Sequence, residues 1–458
     1  MIPFRFGALV LLLTAATAAQ PPAEPVVRVR ILDQEAPTEV RVEATAGPLR
    51  VLLDGVESGA LQPGEIVTLT RLGRDVRARF GGADVSARAL TLNGDGFRLR
   101  AGRVDRRYAG NLACRLADGQ IELVNHTPIE PYVASVVQSE FGFAVLEGAK
   151  AQAVLARTYA LRRAGEHATY DLDDDQRSQV FRGVDAASAT SRRAATETRG
   201  EVLTFGGDLA EATYFSSSGG HTADNDVVWN SDPVPYLRGV PDPYDDASPD
   251  HTWRTSASRS AVLRALSRQA GGTVSGFEIE RRSRSGRVQT VRLFGGRTPT
   301  ISGGAFRRAV NAAVGARTVR STKFDVTANG DTYVFRGGGY GHGVGMSQYG
   351  ALGQARAGRS YRDILAYYFV GTYVRGTEAP ALVAAGDRPD VGTPAATVPR
   401  RPASALRTRY RPAAARSWPT PRHVARQQEA EAARAEPPPP APVPAPQPQE
   451  TQARRTAW

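Results

Sequence analysis

The sequence predicts an α+β fold: a strand-rich N-terminal part and a mixed α/β part facing each other across a groove, followed by a disordered C-terminal tail. Three observations carry this. Residues 20–125 alternate apolar and polar side chains in VVRVRIL, EVRVEA, LRVLL, IVTLTRL, VRARF, FRLRAG and IELVN, with Gly, Asp and Asn between them, the pattern of half-buried strands. The stretch TPIEPYVASVVQSEFGFAVLEGAKAQAVLARTYALRRAGEHA follows and reads as two helices. The last 80 residues hold 16 of the 31 prolines and few large apolar side chains, too little burial to offset ordering entropy.

The chain opens with one arginine, an apolar run from Phe6 to Leu13 and the small-residue pattern Ala16-Thr17-Ala18, then Pro21 and Pro22. Residues 1–19 therefore read as a secretory signal peptide, with an apolar run too short to span a bilayer. No later stretch is long and apolar enough to span one, so no transmembrane segment is expected after cleavage. The expected location is extracytoplasmic, in the periplasm or cell wall. Residues 20–125 form the β-rich part and 126–378 the mixed part. Its first helix has Pro131 in the opening turn and ends near Glu140-Phe141-Gly142; its second runs from about Leu146 to Arg163, with Pro and Gly at the ends they favour. Residues 170–255 are loop-rich, and mixed helix and strand follow to about 335. A last helix starts at the capping-box sequence SYRD from Ser360 and stops near Gly371. Residues 379–458 form the basic, proline-rich tail, with 12 arginines against 6 acids.

Composition narrows the function classes. The net charge is +12, and only Lys150 and Lys323 are lysine. Such a protein is drawn to anionic surfaces, but export and the lack of an aromatic-basic motif argue against nucleic acid. Cys114 is the only cysteine, which excludes an internal disulfide and a multi-cysteine zinc site. The acidic run Asp171, Asp173, Asp174, Asp175 has Gln176 and Arg182 where a calcium loop needs Gly and Glu. No cofactor or metal is expected.

Several stretches carry chemistry. Glu140 falls at a helix C-terminus between apolar VASVV and FGFAV. The helix-end partial negative charge and the apolar neighbours both raise a carboxyl pKa, as a general acid requires. Read locally, a surface glutamate beside a helix end is the plainer account. Lys150, Val154, Arg157 and Leu161 share one helix face, where two cations either grip a carboxylate or snorkel. Ser217, His221 and Asp224 are a superficial triad without a nucleophile elbow. The stretch RGGGYGHGVGMSQYGA, residues 336–351, holds seven glycines. Glycines of this density ask for close approach of backbone to something, either a polymer strand or another part of the chain.

Taken together, LVNHTPIEPYVASVVQSE, EGAKAQAVLARTYAL, ATYFSSSGGHT, YLRGV and GGGYGHGVGMSQYGALGQARAGRSYRDILAYYFVGT resemble the signature segments of the stage II sporulation protein D (SpoIID/LytB) family, across residues 100–375. The resemblance implies lytic cleavage of peptidoglycan glycan strands, preferably those lacking stem peptides, with a 1,6-anhydro-muramic acid product and Glu140 as catalytic acid. It also implies Lys150, Gln152, Arg157, Tyr159, Ser217, His221, Tyr340, His342, Gln348 and Tyr349 as residues of the glycan groove. Asp173 and Ser178 stand where some relatives place zinc-binding cysteines, so no metal is implied. Phe141-Gly142 replaces a common Met-Pro pair. The alternative from the family's other activity is a non-catalytic peptidoglycan-binding enhancer of a cell-wall amidase. An ordinary glycosidase, with one of Asp173 to Asp175 as base, is a third reading.

Overall fold

The computed structural model describes residues 24–376; the expected signal peptide and tail lie outside them. The alternating segments form two sheets. One has seven strands, in the order Leu172–Asp173, Val26–Ile31, Gln120–Pro128, Asn111–Ala117, Ala89–Asn93, Leu49–Leu53 and Val56–Leu61. The other has six: Val104–Ala109, Gly96–Ala101, Glu39–Ala44, Ile66–Leu72, Asp75–Phe80 and Ala83–Ala87. Their inward residues, including Val27, Val29, Val40, Val42, Val67 and Leu69, are fully buried in one core, because successive strand side chains face opposite sides. Cys114 belongs to that core, and burial pushes its thiol up to about 12.

The strand Gln120–Pro128 runs directly into helix α1 (Ile129–Glu140), which turns through Phe141 and Gly142 into α2 (Leu146–Arg162). Helix α3 (Ala189–Glu197) packs on both. These helices share the core of the two sheets. The acidic run fastens the helical half to the first strand. Leu172 and Asp173 pair in parallel with Val29 and Arg30, Arg28 holds Asp171 at 2.7 Å, Arg30 holds Asp173 at 2.7 Å, and Arg106 reaches Asp174 at 3.5 Å.

A second core lies within the mixed part. Strands Trp253–Ser258, Thr332–Gly337 and Phe324–Asn329 form one small sheet, and Val274–Arg282, Val288–Gly295 and Thr300–Ser302 form another. After the short α4 (Asn225–Trp229), helices α5 (Arg259–Ala270) and α6 (Gly303–Val314) complete this unit. Its apolar residues, among them Trp253, Leu266, Val291, Phe306 and Phe335, form a cluster separate from the main core. Sequence reading runs 126–378 as one mixed part; the structure inserts a separately cored unit in it. The chain then returns to the main core through α7 (Gln348–Arg356) and α8 (Tyr361–Tyr368). The cap of α8 is the expected box, with Ser360 and Asp363 exchanging bonds.

Candidate functional site

Glu140 is the last residue of α1 and is half-buried. Phe141 and Gly142 both donate their N–H to the Val137 carbonyl, which closes the helix end. Gly142 makes that turn at φ +64°, a conformation that costs a residue with a Cβ more. Phe141, in the place of the common Met, is 3% exposed and buries its ring against Gly148 of α2. Phe143 then meets Phe141 and Tyr349 edge-on, with centroids 4.9 and 5.0 Å away.

The carboxyl of Glu140 is pushed above its ordinary range, first by burial. Two donors oppose this. The Val180 N–H donates to Oε1 at 2.8 Å, and the Gln348 side-chain amide pulls in the same direction. The Gln348 contact is the looser: its buried Nε2 forms no well-made hydrogen bond.

Val180 is fixed by its neighbours. Tyr132 Oη donates to Gln179 Oε1 at 2.9 Å, and Gln179 Nε2 donates to Tyr214 Oη at 2.9 Å. Phe181 packs between Tyr108 and Tyr132. Burial foremost, and then nearby groups including Glu140, hold Tyr132 and Tyr214 well above the usual phenol range. Both therefore stay neutral hydrogen-bonding groups. The short parallel pairing of Tyr214–Phe215 with Met346–Ser347 brings Tyr214 and Gln348 to Glu140 from chain segments far apart in sequence.

The glycine-rich stretch braces this arrangement from behind, chain against chain. A Cβ on Gly343 would sit 2.4 Å from Arg287 Cζ, and one on Gly345 would sit 2.2 Å from the Thr213 carbonyl oxygen. His342 belongs to the brace. The Val344 N–H donates to its Nδ1 at 3.1 Å, so Nε2 carries the proton and donates to the Tyr214 carbonyl at 2.9 Å. Burial drives its pKa down to about 4, and the ring is neutral at ordinary pH.

Asp245, which sequence reading passed over, is fully buried and collects the loops. It accepts from Ser217 Oγ (2.9 Å), the N–H groups of Ser218 (3.0 Å) and Gly219 (2.8 Å), Ser347 Oγ (2.9 Å) and His251 Nδ1 (3.2 Å). Ser217 and Tyr340 exchange backbone bonds at 3.1 and 2.8 Å, and the Arg317 guanidinium lies 4.5 Å over the Tyr340 ring. Ser217 is thus an acceptor's donor in a packed loop junction, with its hydroxyl committed to Asp245.

The remaining expected groove residues scatter. Arg157 is fully buried, with Nη2 2.6 Å from Glu130 and further bonds to the Glu201 and Ala195 carbonyls; it meets no solvent-facing wall. Lys150 is held by Glu147 (2.9 Å) and Glu197 (2.6 Å). Tyr159 stacks under Arg163, 4.3 Å away, and acts electrostatically on Tyr132 and Tyr214. Gln152 is fully buried with both amide atoms unpaired. His221 Nδ1 donates to the Thr222 carbonyl (2.7 Å), and the ring lines a separate cavity with Asp224, Arg238 and Arg284. Of the sequence candidates, Gln348 reaches Glu140 itself, Tyr349 packs on Phe143 and His342 holds the Tyr214 carbonyl, and Val180, Gln179 and Tyr214 complete the surroundings of the carboxyl. The family-like segment DLDDDQRSQVFRG held Gln179 and Val180, yet their tie to Glu140 depends on a fold contact 40 residues away.

The comparisons agree with this division of the chain. A family model described as stage II sporulation protein matches residues 117–205, and a domain of unknown function matches 245–345, which encloses the separately cored unit. The stage II sporulation protein D of Bacillus subtilis is 30% identical over 274 residues, 56% of this chain and 77% of its own. The amidase enhancer of the same species is 31% identical over 274 residues, 50% of this chain but 38% of its own. An uncharacterized protein of Brachyspira hyodysenteriae is 28% identical over 354 residues, 76% of this chain and 92% of its own. With the matched segment holding α1, Glu140 and the Gln179-Val180 clamp, the chain belongs to the stage II sporulation protein D family.

Proposed function

We propose that the protein is an exported lytic transglycosylase that cleaves peptidoglycan glycan strands, with Glu140 as its single acid and base. The observation that supports it is the setting of that carboxyl: half-buried at a helix C-terminus, raised in pKa by burial, and held by one backbone donor through Oε1. A proton on the free oxygen is available to a leaving glycosidic oxygen. Once ionised, the same carboxylate takes the proton of the muramic acid 6-hydroxyl as that oxygen attacks C1 and closes the 1,6-anhydro ring. Because the nucleophile belongs to the substrate, no second carboxylate is needed, unlike the paired arrangement of most glycosidases. The glycosidase reading has less support, since Asp173, Asp174 and Asp175 are engaged by Arg30, Arg106 and Arg177.

The likeness to an amidase enhancer supports a second reading, a glycan-binding partner of a cell-wall amidase. Mass spectrometry of products from peptide-free glycan strands separates the two. Anhydro-ended fragments from the wild type, reduced by ~10²–10⁴ in rate in Glu140→Gln, are expected. Intact strands with both proteins, and glycan binding retained, would overturn the enzyme reading and leave the partner reading.

A further inference from the structure

A cavity of about 740 Å³ lies away from Glu140, between the second-core unit and the Gly219 loop. That volume suits a ligand rather than a packing defect. Arg254, Arg282, Lys323 and Arg336 line it against the single carboxylate of Asp325, over a floor that includes Trp253. The sheet register explains how the charges gather. Arg254 is directly opposite Arg336, and Arg336 is directly opposite Asp325, so all three stand in a row on one face.

Like charges directly opposite on neighbouring strands repel. The one carboxylate in the row does not relieve them, because Asp325 is taken by Arg282 at 2.6 Å. Neither Arg254 nor Arg336 has an ion-pair partner among the described residues, and both are exposed. Lys323 adds a third cation with no ion pair among the described residues, its ammonium donating to the Gly219 carbonyl. Burial, and then the neighbouring Arg287, hold it below the usual lysine range. Two guanidinium forks side by side match the two oxygens of a carboxylate or phosphate.

We propose that this cavity is an oxyanion-binding site, in which Arg254 and Arg336 jointly clamp a carboxylate or phosphate group and Lys323 completes the neutralisation. The two sources of that group are the lactyl carboxylates of a glycan strand and a phosphate group. The site does not depend on cleavage at Glu140, so either assignment can fail without the other.

The test is calorimetric titration of the full chain, and of Arg254→Gln/Arg336→Gln, with two probes: inorganic phosphate, and peptide-free glycan strands with free or amidated lactyl groups. Removing both forks is expected to weaken binding at least about tenfold, since each charge-assisted pair contributes on the order of that factor. Loss confined to phosphate names phosphate as the source. Loss confined to the free-carboxylate strands names the glycan. The melting temperature of the double variant should hold or rise, because a repulsive pair is removed. A wild type that binds neither probe, or a double variant that binds both as the wild type does, overturns the site.

Discussion

A carboxyl that begins a reaction by giving away its proton must still hold it when substrate arrives, and at Glu140 the balance is set by a few atoms. Burial favours the neutral acid; the donors Val180 and Gln348 favour the carboxylate. The two donors differ in kind, since Val180 is backbone and Gln348 is a side chain that can be removed alone. Gln348→Ala deletes a donor to the charged form, so the pKa of Glu140 should climb further. Activity that requires the protonated acid is lost as pH rises through that pKa. The alkaline limb of kcat/KM against pH should therefore move to higher pH in the variant. A limb that stays in place while the rate falls at every pH would mean that Gln348 only packs. His342, the most conspicuous side chain of the glycine-rich stretch, is a brace rather than a reacting group. Both of its ring nitrogens are engaged by backbone, which no reading of local sequence can foresee.

The turn from α1 into α2 translates those atomic demands into helix packing. Phe141 fills the space above Gly148, where a Cβ would sit 2.4 Å from the ring. Gly148→Ala should therefore destabilise the protein by ~1–3 kcal/mol through overpacking, measured by denaturant unfolding. Phe141→Leu in the same chain should recover part of that loss, giving a coupling energy of about 0.5 kcal/mol or more. Additive losses would show that Phe141 and Gly148 do not share this space. Both helices were legible from sequence because Pro131, Gly142 and apolar spacing mark their ends. Several strands were not. Val56–Leu61 buries only its last residue, so it offers no alternation to detect. Asn111–Ala117 alternates through small residues and Cys114, a weak signal beside its neighbour IELVN. Edge and small-residue strands are fixed by their partners in the sheet, and a pattern search finds only strands that alternate on their own.

Across the whole molecule, the site is assembled by buried carboxylates whose partners lie far away in sequence. Asp245 joins Ser217, 28 residues before it, to Ser347, 102 residues after it. The motifs themselves were readable as chemistry-bearing, while the acid that gathers them sits in the loop-rich SDPVPYLRGVPDPYDD, where nothing local marks it. Asp242 in that loop is the sharper case. It is fully buried, accepts from Tyr368 Oη at 3.0 Å and leaves Oδ2 without a partner. Burial first, and then the charge of Asp245, push its carboxyl from 3.8 up to about 7. The sign follows from proton counting. Between those two values the folded protein holds a proton that the unfolded chain has released, so this group's contribution to stability falls as pH rises through the window. Below it both states are protonated and the contribution is complete. Asp242→Asn has no proton to lose, and its amide oxygen can still accept from Tyr368. Its melting temperature should match the wild type near pH 4 and exceed it near pH 8. Parallel stability curves for the two proteins would show that Asp242 carries its charge in the fold without penalty. A variant destabilised equally at every pH would mean that the lost bonds, not the proton, set its role.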